Sequence, residues 1–174
     1  VDHSEIIFPP NVTHYRGIDW GASEEHPFVC VWGYVDGVGD WFIYDEYWSV
    51  DQTAITVDHV EEIKNRWPWP AGDPNYRMSF ADPSRPGEIN EFAQRGIDTY
   101  PASNDVFKGI DAVRSLLKPN PSTGKPKIKI SGLNCPHLIE EMRKYRWKRG
   151  RRPTEGVLLN PQVATPVPLK RDDD

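Results

Sequence analysis

The spacing of apolar residues changes along the chain from every second position to every third or fourth, and these changes mark out a series of strands and helices. Residues 15–19 ("YRGID"), 28–35 ("FVCVWGYV") and 41–48 ("WFIYDEYW") are short runs rich in aromatic and β-branched residues, each predicted as a strand. "DGVGD" joins the last two as a Gly-rich hairpin connection, so an antiparallel meander is expected. In "SVDQTAITVDHVEEIKNRW", Val57, Val60, Ile63 or Lys64, and Trp67 fall at helical spacing behind a cap-like polar start at Asp51 and Thr53. After a Pro-rich break at 68–74, "YRMSFADPS" reads as a strand stopped at Asp82-Pro83. A helix over about 87–95 aligns Ile89, Phe92 and Ala93 and stops at Gly96. Residues 97–102 read as a strand, 105–117 as a helix aligning Ile110, Val113, Leu116 and Leu117, 127–130 as a strand, and 138 to about 148 as a helix. Strands first and β-α alternation afterwards predict an α/β fold, with a mixed sheet flanked by helices.

The totals narrow the class. A chain of 174 residues suits one domain with a real core. Its 17 Pro and plentiful aromatics argue against a helical bundle or a disordered tail. A net charge of −5 excludes a generic polyanion binder but leaves room for a locally basic surface. Cys30 and Cys135 both sit in predicted regular structure, which supports neither a disulfide framework nor a Cys-type zinc site and suggests a reducing compartment. The start does not read as a signal peptide, and no apolar run approaches membrane-spanning length, so a soluble protein is expected. "VDHSEIIFPPNVT" has no period and suits a tether, the Pro-rich stretch 161–168 reads as irregular, and the chain is read as a piece of something longer.

Asp19 needs a reason for its place, because strands usually keep Asp out of their interiors, where its side chain competes for backbone hydrogen bonds. Asp82 closes the fourth predicted strand. If the first and fourth strands are neighbours, the two carboxylates face each other at the carboxyl edge of the sheet, where open α/β sheets place their chemistry. Two close anions repel, and a divalent cation is the simplest remedy. Hard, all-oxygen ligation with room for water suits Mg²⁺ or Mn²⁺, and two such ions can clamp the attacking and leaving oxygens of a phosphodiester. Further donors for that chemistry would be Glu24 or Glu25 after Asp19, Glu46 on the third strand, or Asp172, Asp173 and Asp174. Each acid alone also has an ordinary reading: Asp82 in "ADPS" is a good turn former, and the triple Asp a solvated run.

Taken in order, "GIDWG" leading into "FVCVWGYVDG" and "YDEYW", then "FADPS" with "EFAQRGI", "PASNDVFKGIDAVRSLL", "LIEEMRKYRWK" and "KRDDD" resemble the C-terminal nuclease domain of tailed-bacteriophage terminase large subunits over about residues 15–174. The resemblance implies an RNase H-like fold, with three antiparallel strands followed by parallel ones. It implies an Mg²⁺- or Mn²⁺-dependent endodeoxyribonuclease, with two ions, cutting concatemeric viral DNA during packaging in the host cytoplasm. By the same resemblance Asp19 matches the first acid, in "G-[IV]-D-x-G", and Asp82 the second, in "A-D-P". Glu25 best matches a further acid of the following loop, with Glu24 as near. The third core acid matches Asp174 or Asp173, or a later Asp, since relatives continue "DDHA-x-D-A" where this sequence stops. Double-stranded DNA, an ATPase motor domain, a small terminase subunit and the portal are the implied partners, with no membrane. Residues 1–14 then read as a connector from the motor, and 15–174 as a nuclease domain shortened at its C-terminus. "STGKPK" lacks the upstream Gly and following hydroxyl of a phosphate loop, so no ATP site is expected.

A DNA-binding surface is suggested by "RKYRWKRGRR", in which Arg143, Lys144, Arg146, Lys148, Arg149, Arg151 and Arg152 surround Tyr145 and Trp147. Its ordinary reading is a solvated helix end. Lys108, near the start of its helix, and Ser84 and Arg85 after Asp82 are further candidates for phosphate contact. His14, His26, His59 and His137 have no ligand spacing, although His26 adjoins Glu25, and Trp20, Trp32, Trp41 and Trp48 are expected as strand-borne core. Two rival functions share these features: a non-catalytic DNA- or portal-docking module, and a Holliday-junction resolvase-like nuclease.

Overall fold

Every second residue of β1 (Thr13–Asp19) is buried: His14, Arg16 and Ile18 face one way, and Tyr15, Gly17 and Asp19 the other. β2 (Phe28–Val35) and β3 (Trp41–Ser49) follow as the antiparallel meander, joined by a turn in which the Asp36 carboxylate accepts the Val38 and Asp40 N–H groups at 3.0 and 2.9 Å. β4 (Tyr76–Ala81), β5 (Thr99–Pro101) and β6 (Ile128–Ile130) complete a six-stranded sheet in the order β5-β4-β1-β2-β3-β6. The β1–β4, β4–β5 and β3–β6 pairs are parallel, giving the mixed sheet that the sequence predicts. This computed structural model describes residues 7–67, 76–147 and 168–169. It divides into two units, 1–136 with the sheet and 137–174.

Helices α1 (Thr56–Arg66) and α2 (Pro86–Gln94) build the core against one sheet face. Val60 and Ile63 of α1 and Phe92 of α2 join Ile18, Phe28, Cys30, Trp32, Tyr44, Ala81 and Ile97. His59 stacks on Phe28 at 3.8 Å between ring centres and bonds the Tyr47 hydroxyl through Nδ1 at 3.0 Å. Phe8, inside the stretch read as a tether, packs edge-on against His14, Tyr34, Tyr44 and Trp67, and β1 begins two residues earlier than expected. Both cysteines are free and buried, and burial pushes each thiol up to about 12.

A bulge in β3 sets the chemistry of its acids. Trp32 pairs with Asp45 and Gly33 with Ile43, leaving Tyr44 as the extra residue. Tyr44 and Asp45 therefore both turn toward α1, where Trp67 packs on Tyr44 and donates its Nε1 to Asp45 at 2.8 Å. Glu46, one residue on, returns to the opposite face.

Three local expectations change. Asp51 does not cap α1: its Oδ1 accepts both the Thr53 N–H and the Thr53 hydroxyl, closing a separate turn, while Asp58 accepts the Ile55 N–H at 2.9 Å. Trp20 lies just past β1 rather than on a strand. In the second unit, α4 (Pro136–Lys144) ends earlier than expected, because Arg146–Trp147 (β7) pairs antiparallel with Pro168–Leu169 (β8). That pairing also gives strand character to the end of a stretch read as irregular. The remaining helix, α3 (Val106–Leu117), is capped by Asp105, whose carboxylate accepts the Lys108 N–H at 3.1 Å; no residue of α3 is fully buried.

Candidate functional site

Two acids meet at the carboxyl ends of adjacent parallel strands. Ile18 of β1 lies beside Ala81 of β4, and the Asp82 N–H donates to the Ile18 carbonyl at 3.1 Å. Asp19 and Asp82 are the residues that follow this last pair. Since Gly17 lies beside Phe80, alternation puts both acids on the face that carries those two residues. Neighbouring strands run about 4.8 Å apart, so the two acids leave the sheet side by side.

The surroundings hold Asp82 in place. Its carbonyl accepts the Trp20 indole N–H at 2.8 Å, and its Oδ1 accepts the Ser84 N–H at 2.7 Å. The turn-forming role and a ligand role are thus compatible, because the turn uses only one carboxylate oxygen. The Trp20 contact was not legible in the sequence, where the indole read as core; its position next to Asp19 was the available clue.

The loop after Asp19 closes on itself. A Cβ on Gly21 would sit 2.0 Å from the His26 carbonyl oxygen, so only glycine fits. Ser23 donates its N–H to the His26 carbonyl at 2.9 Å, and the Ser23 Oγ accepts the His26 N–H at 3.0 Å. Glu24 and Glu25 are exposed between these two residues. Glu46 shares a row with Gly17 and Val31 on the acid-bearing face, only 6 % exposed and two strands from Asp19. Asp45, by contrast, is committed to the helix-covered face, with Arg66 at 3.9 Å.

Among the described residues the donors at this edge are carboxylates, the hard oxygen ligands that suit a divalent ion such as Mg²⁺ or Mn²⁺. Among the described residues no group of three or more His, Cys, Asp or Glu gathers in a metal-binding arrangement. Asp172, Asp173 and Asp174 lie outside the described residues.

The predicted cationic contacts are only partly visible. Lys108 Nζ pairs with Asp105 at 3.0 Å and its side chain is 83 % exposed, while Arg85 pairs with Glu88 at 3.0 Å. α3 follows β5, whose carboxyl end lies at the same sheet edge as Asp82, so Lys108 belongs to that side of the sheet. Arg143 and Lys144 are exposed in the last turn of α4, with Lys144 paired to Glu140. Arg146 is described only in its backbone, and Lys148, Arg149, Arg151 and Arg152 lie outside the described residues.

No protein-family model and no curated protein matches the sequence. Solved structures do. The large terminase of a thermophilic bacteriophage superposes with a TM-score of 0.67 and 22% identity over 82% of this chain and 33% of that one. The same terminase in complex with ATP-gamma-S gives 0.67 and 21% over 82% of this chain and 34% of its own. The P22 large terminase nuclease domain gives 0.60 and 16% identity over 80% of this chain and 71% of that chain. This chain therefore spans about a third of the full large terminase that it resembles and most of the isolated nuclease domain.

Proposed function

The chain has the RNase H-like fold of terminase nuclease domains, and we propose from this that it is the metal-dependent endonuclease domain of a phage terminase large subunit. The observation that carries the reading is the placement of Asp19 and Asp82, one residue beyond the last paired rung of two adjacent parallel strands and on one face. These two carboxylates would hold Mg²⁺ or Mn²⁺, with Glu25 and Asp173 or Asp174 as the remaining donors. A bound ion of this class supplies an activated water and stabilises the charge developing on the leaving 3′ oxygen.

The chain's own contribution is rigid presentation. β1 and β4 fix the Asp19 and Asp82 backbones through the ladder, and the Ser84 N–H orients the Asp82 carboxylate. The Trp20 indole ties the residue after Asp19 to the Asp82 carbonyl, so the two strand ends cannot drift apart. Arg143, Lys144, Arg146, Lys148, Arg149, Arg151 and Arg152, with Lys108, would meet DNA phosphates, contacts that position a duplex without reading its sequence. In the full protein the domain would act with an ATPase motor, a small subunit and the portal in the host cytoplasm, cutting concatemeric DNA.

The test is cleavage of supercoiled plasmid with Mg²⁺, Mn²⁺ or EDTA, beside Asp82→Ala. Metal-dependent nicking and linearisation that vanish in the variant are expected; cutting that survives in EDTA or in Asp82→Ala defeats the assignment. A strong preference for branched DNA over linear duplex would shift it to a resolvase. A docking role on the same fold is the second reading. It is favoured if the chain binds duplex but neither Mn²⁺ nor Mg²⁺.

A further inference from the structure

At the far edge of the sheet, Lys125, Lys127 and Lys129 line one cavity of about 310 Å³ together with Asn120, Thr123 and Asp40. From this we infer a second phosphate-binding cleft that grips the DNA backbone away from the acid pair. In "KPKIKI" the three lysines fall at every second position, and all are exposed. None has an ion pair among the described residues. Three ammonium groups against the single carboxylate of Asp40 leave the cleft with a charge of +2, in a protein whose net charge is −5.

The cleft is built rather than incidental. Gly124, with φ 66°, closes a turn in which its N–H donates to the Asn120 carbonyl at 2.8 Å, and the Asn120 N–H donates to the Lys125 carbonyl at 2.9 Å. The Asn120 side-chain oxygen accepts the Ser122 N–H at 2.9 Å and the Thr123 Oγ1 accepts the Lys125 N–H at 3.3 Å, which leaves the Asn120 amide N–H groups and the Thr123 hydroxyl proton as donors. The Lys127 N–H donates to the Leu116 carbonyl at 2.8 Å and its carbonyl accepts from Trp41 at 2.7 Å, fixing the middle lysine to the sheet.

Lysines on an edge strand often serve only to block pairing with other chains. That purpose accounts for Lys129, on β6, but not for Lys125 and Lys127, which precede the strand and converge on the same cavity. The "STGKPK" stretch, which lacks the upstream Gly and following hydroxyl of a phosphate loop, would thereby acquire a simpler use of the same donors.

Lys129 lies beside Phe42 in the row of His14, three strands across from β1 and five residues before Asp19. Strand geometry puts about 20 Å between the two places. A phosphate in the cleft is therefore held, not cut, and the contact would restrain a duplex at a distance from the acids.

The test is binding of a short labelled duplex, read by fluorescence anisotropy in EDTA across 50 to 200 mM salt. Because metal is removed, it reads the cleft whether or not the nuclease reading holds. Each phosphate contact contributes about 0.9 to the slope of log K against log salt. Lys125→Gln/Lys127→Gln/Lys129→Gln is expected to lower that slope by about 2 to 3 and weaken binding at least tenfold, order-of-magnitude figures for three such contacts. Asp40→Asn, which removes the opposing charge, is expected to tighten binding about two- to threefold, a gain that a misfolded variant would not show. An unchanged slope in the triple variant, or no gain from Asp40→Asn, overturns the proposal.

Discussion

The two faces of the sheet are packed to different standards. On the helix-covered face Trp32 and Tyr44 are wholly buried, and His59, Phe28, Phe92 and Trp20 form a continuous aromatic stack and edge network. On the other face Tyr15 packs against both Trp41 and Phe80, yet Phe80 remains 38 % exposed. Asp19 and Asp82 belong to this second, more open face. Stability is concentrated where side chains interlock, and the proposed chemistry lies where the sheet stays accessible. Substitutions on the two faces should therefore separate stability from activity.

The largest effect is expected from breaking the closed face. Trp32→Ala should cost about 3–5 kcal/mol in urea unfolding, the usual range for removing a buried Trp; a loss below 1 kcal/mol would mean that this face is not the core. On the open face the balance should reverse. Asp82→Asn keeps an oxygen for the Ser84 N–H, so it should barely move the melting temperature. It should nevertheless reduce plasmid cleavage at least a hundredfold, about 2.7 kcal/mol of barrier. A variant that melts many degrees lower and still cuts would invert the comparison.

Gly21→Ala sharpens it further, since the added methyl meets backbone rather than a movable side chain. Strain of about 1–3 kcal/mol is expected, read by chemical denaturation, with cleavage falling as the loop beside Asp19 shifts. The smallest effect concerns His59, whose pKa is lowered from 6.5 chiefly by burial, against the opposing pull of Asp58 and Asp51. The folded state thus favours neutral His59. Its contribution is fully present above the unfolded value near 6.5 and is lost as pH falls through the lower folded value. Urea unfolding at pH 7.5 and 5.5 should show a larger acid-side loss in the native protein than in His59→Gln, and equal losses would remove this role.

Much of the fold was legible because the apolar period is unambiguous in each segment. The meander at Phe28 to Ser49, the strand stopped by Asp82-Pro83 and the Gly96 helix stop all stand as the sequence predicts. The two acids stood out in the sequence as strand-end residues, but their juxtaposition was conditional on the first and fourth strands being neighbours, which only the β1–β4 pairing shows. The β3 bulge was not, because an alternating pattern cannot announce that Tyr44 is an extra residue; without that bulge Asp45 and Glu46 would exchange faces. The cap of α1 was misplaced because Asp51 is a good cap residue in isolation, and only its bonds to Thr53 show that it closes a separate turn while Asp58 acts from inside the first turn of the helix. The convergence of Lys125, Lys127 and Lys129 with Asp40 depends on the non-local β3–β6 pairing, which no local pattern encodes.

The most direct test of the acid pair is calorimetric titration of Mn²⁺ into the chain and into Asp19→Asn and Asp82→Asn. The placement of the two carboxylates predicts saturable binding that weakens at least tenfold in each variant, about 1.4 kcal/mol or more. Mn²⁺ binding of unchanged affinity in both variants would contradict it.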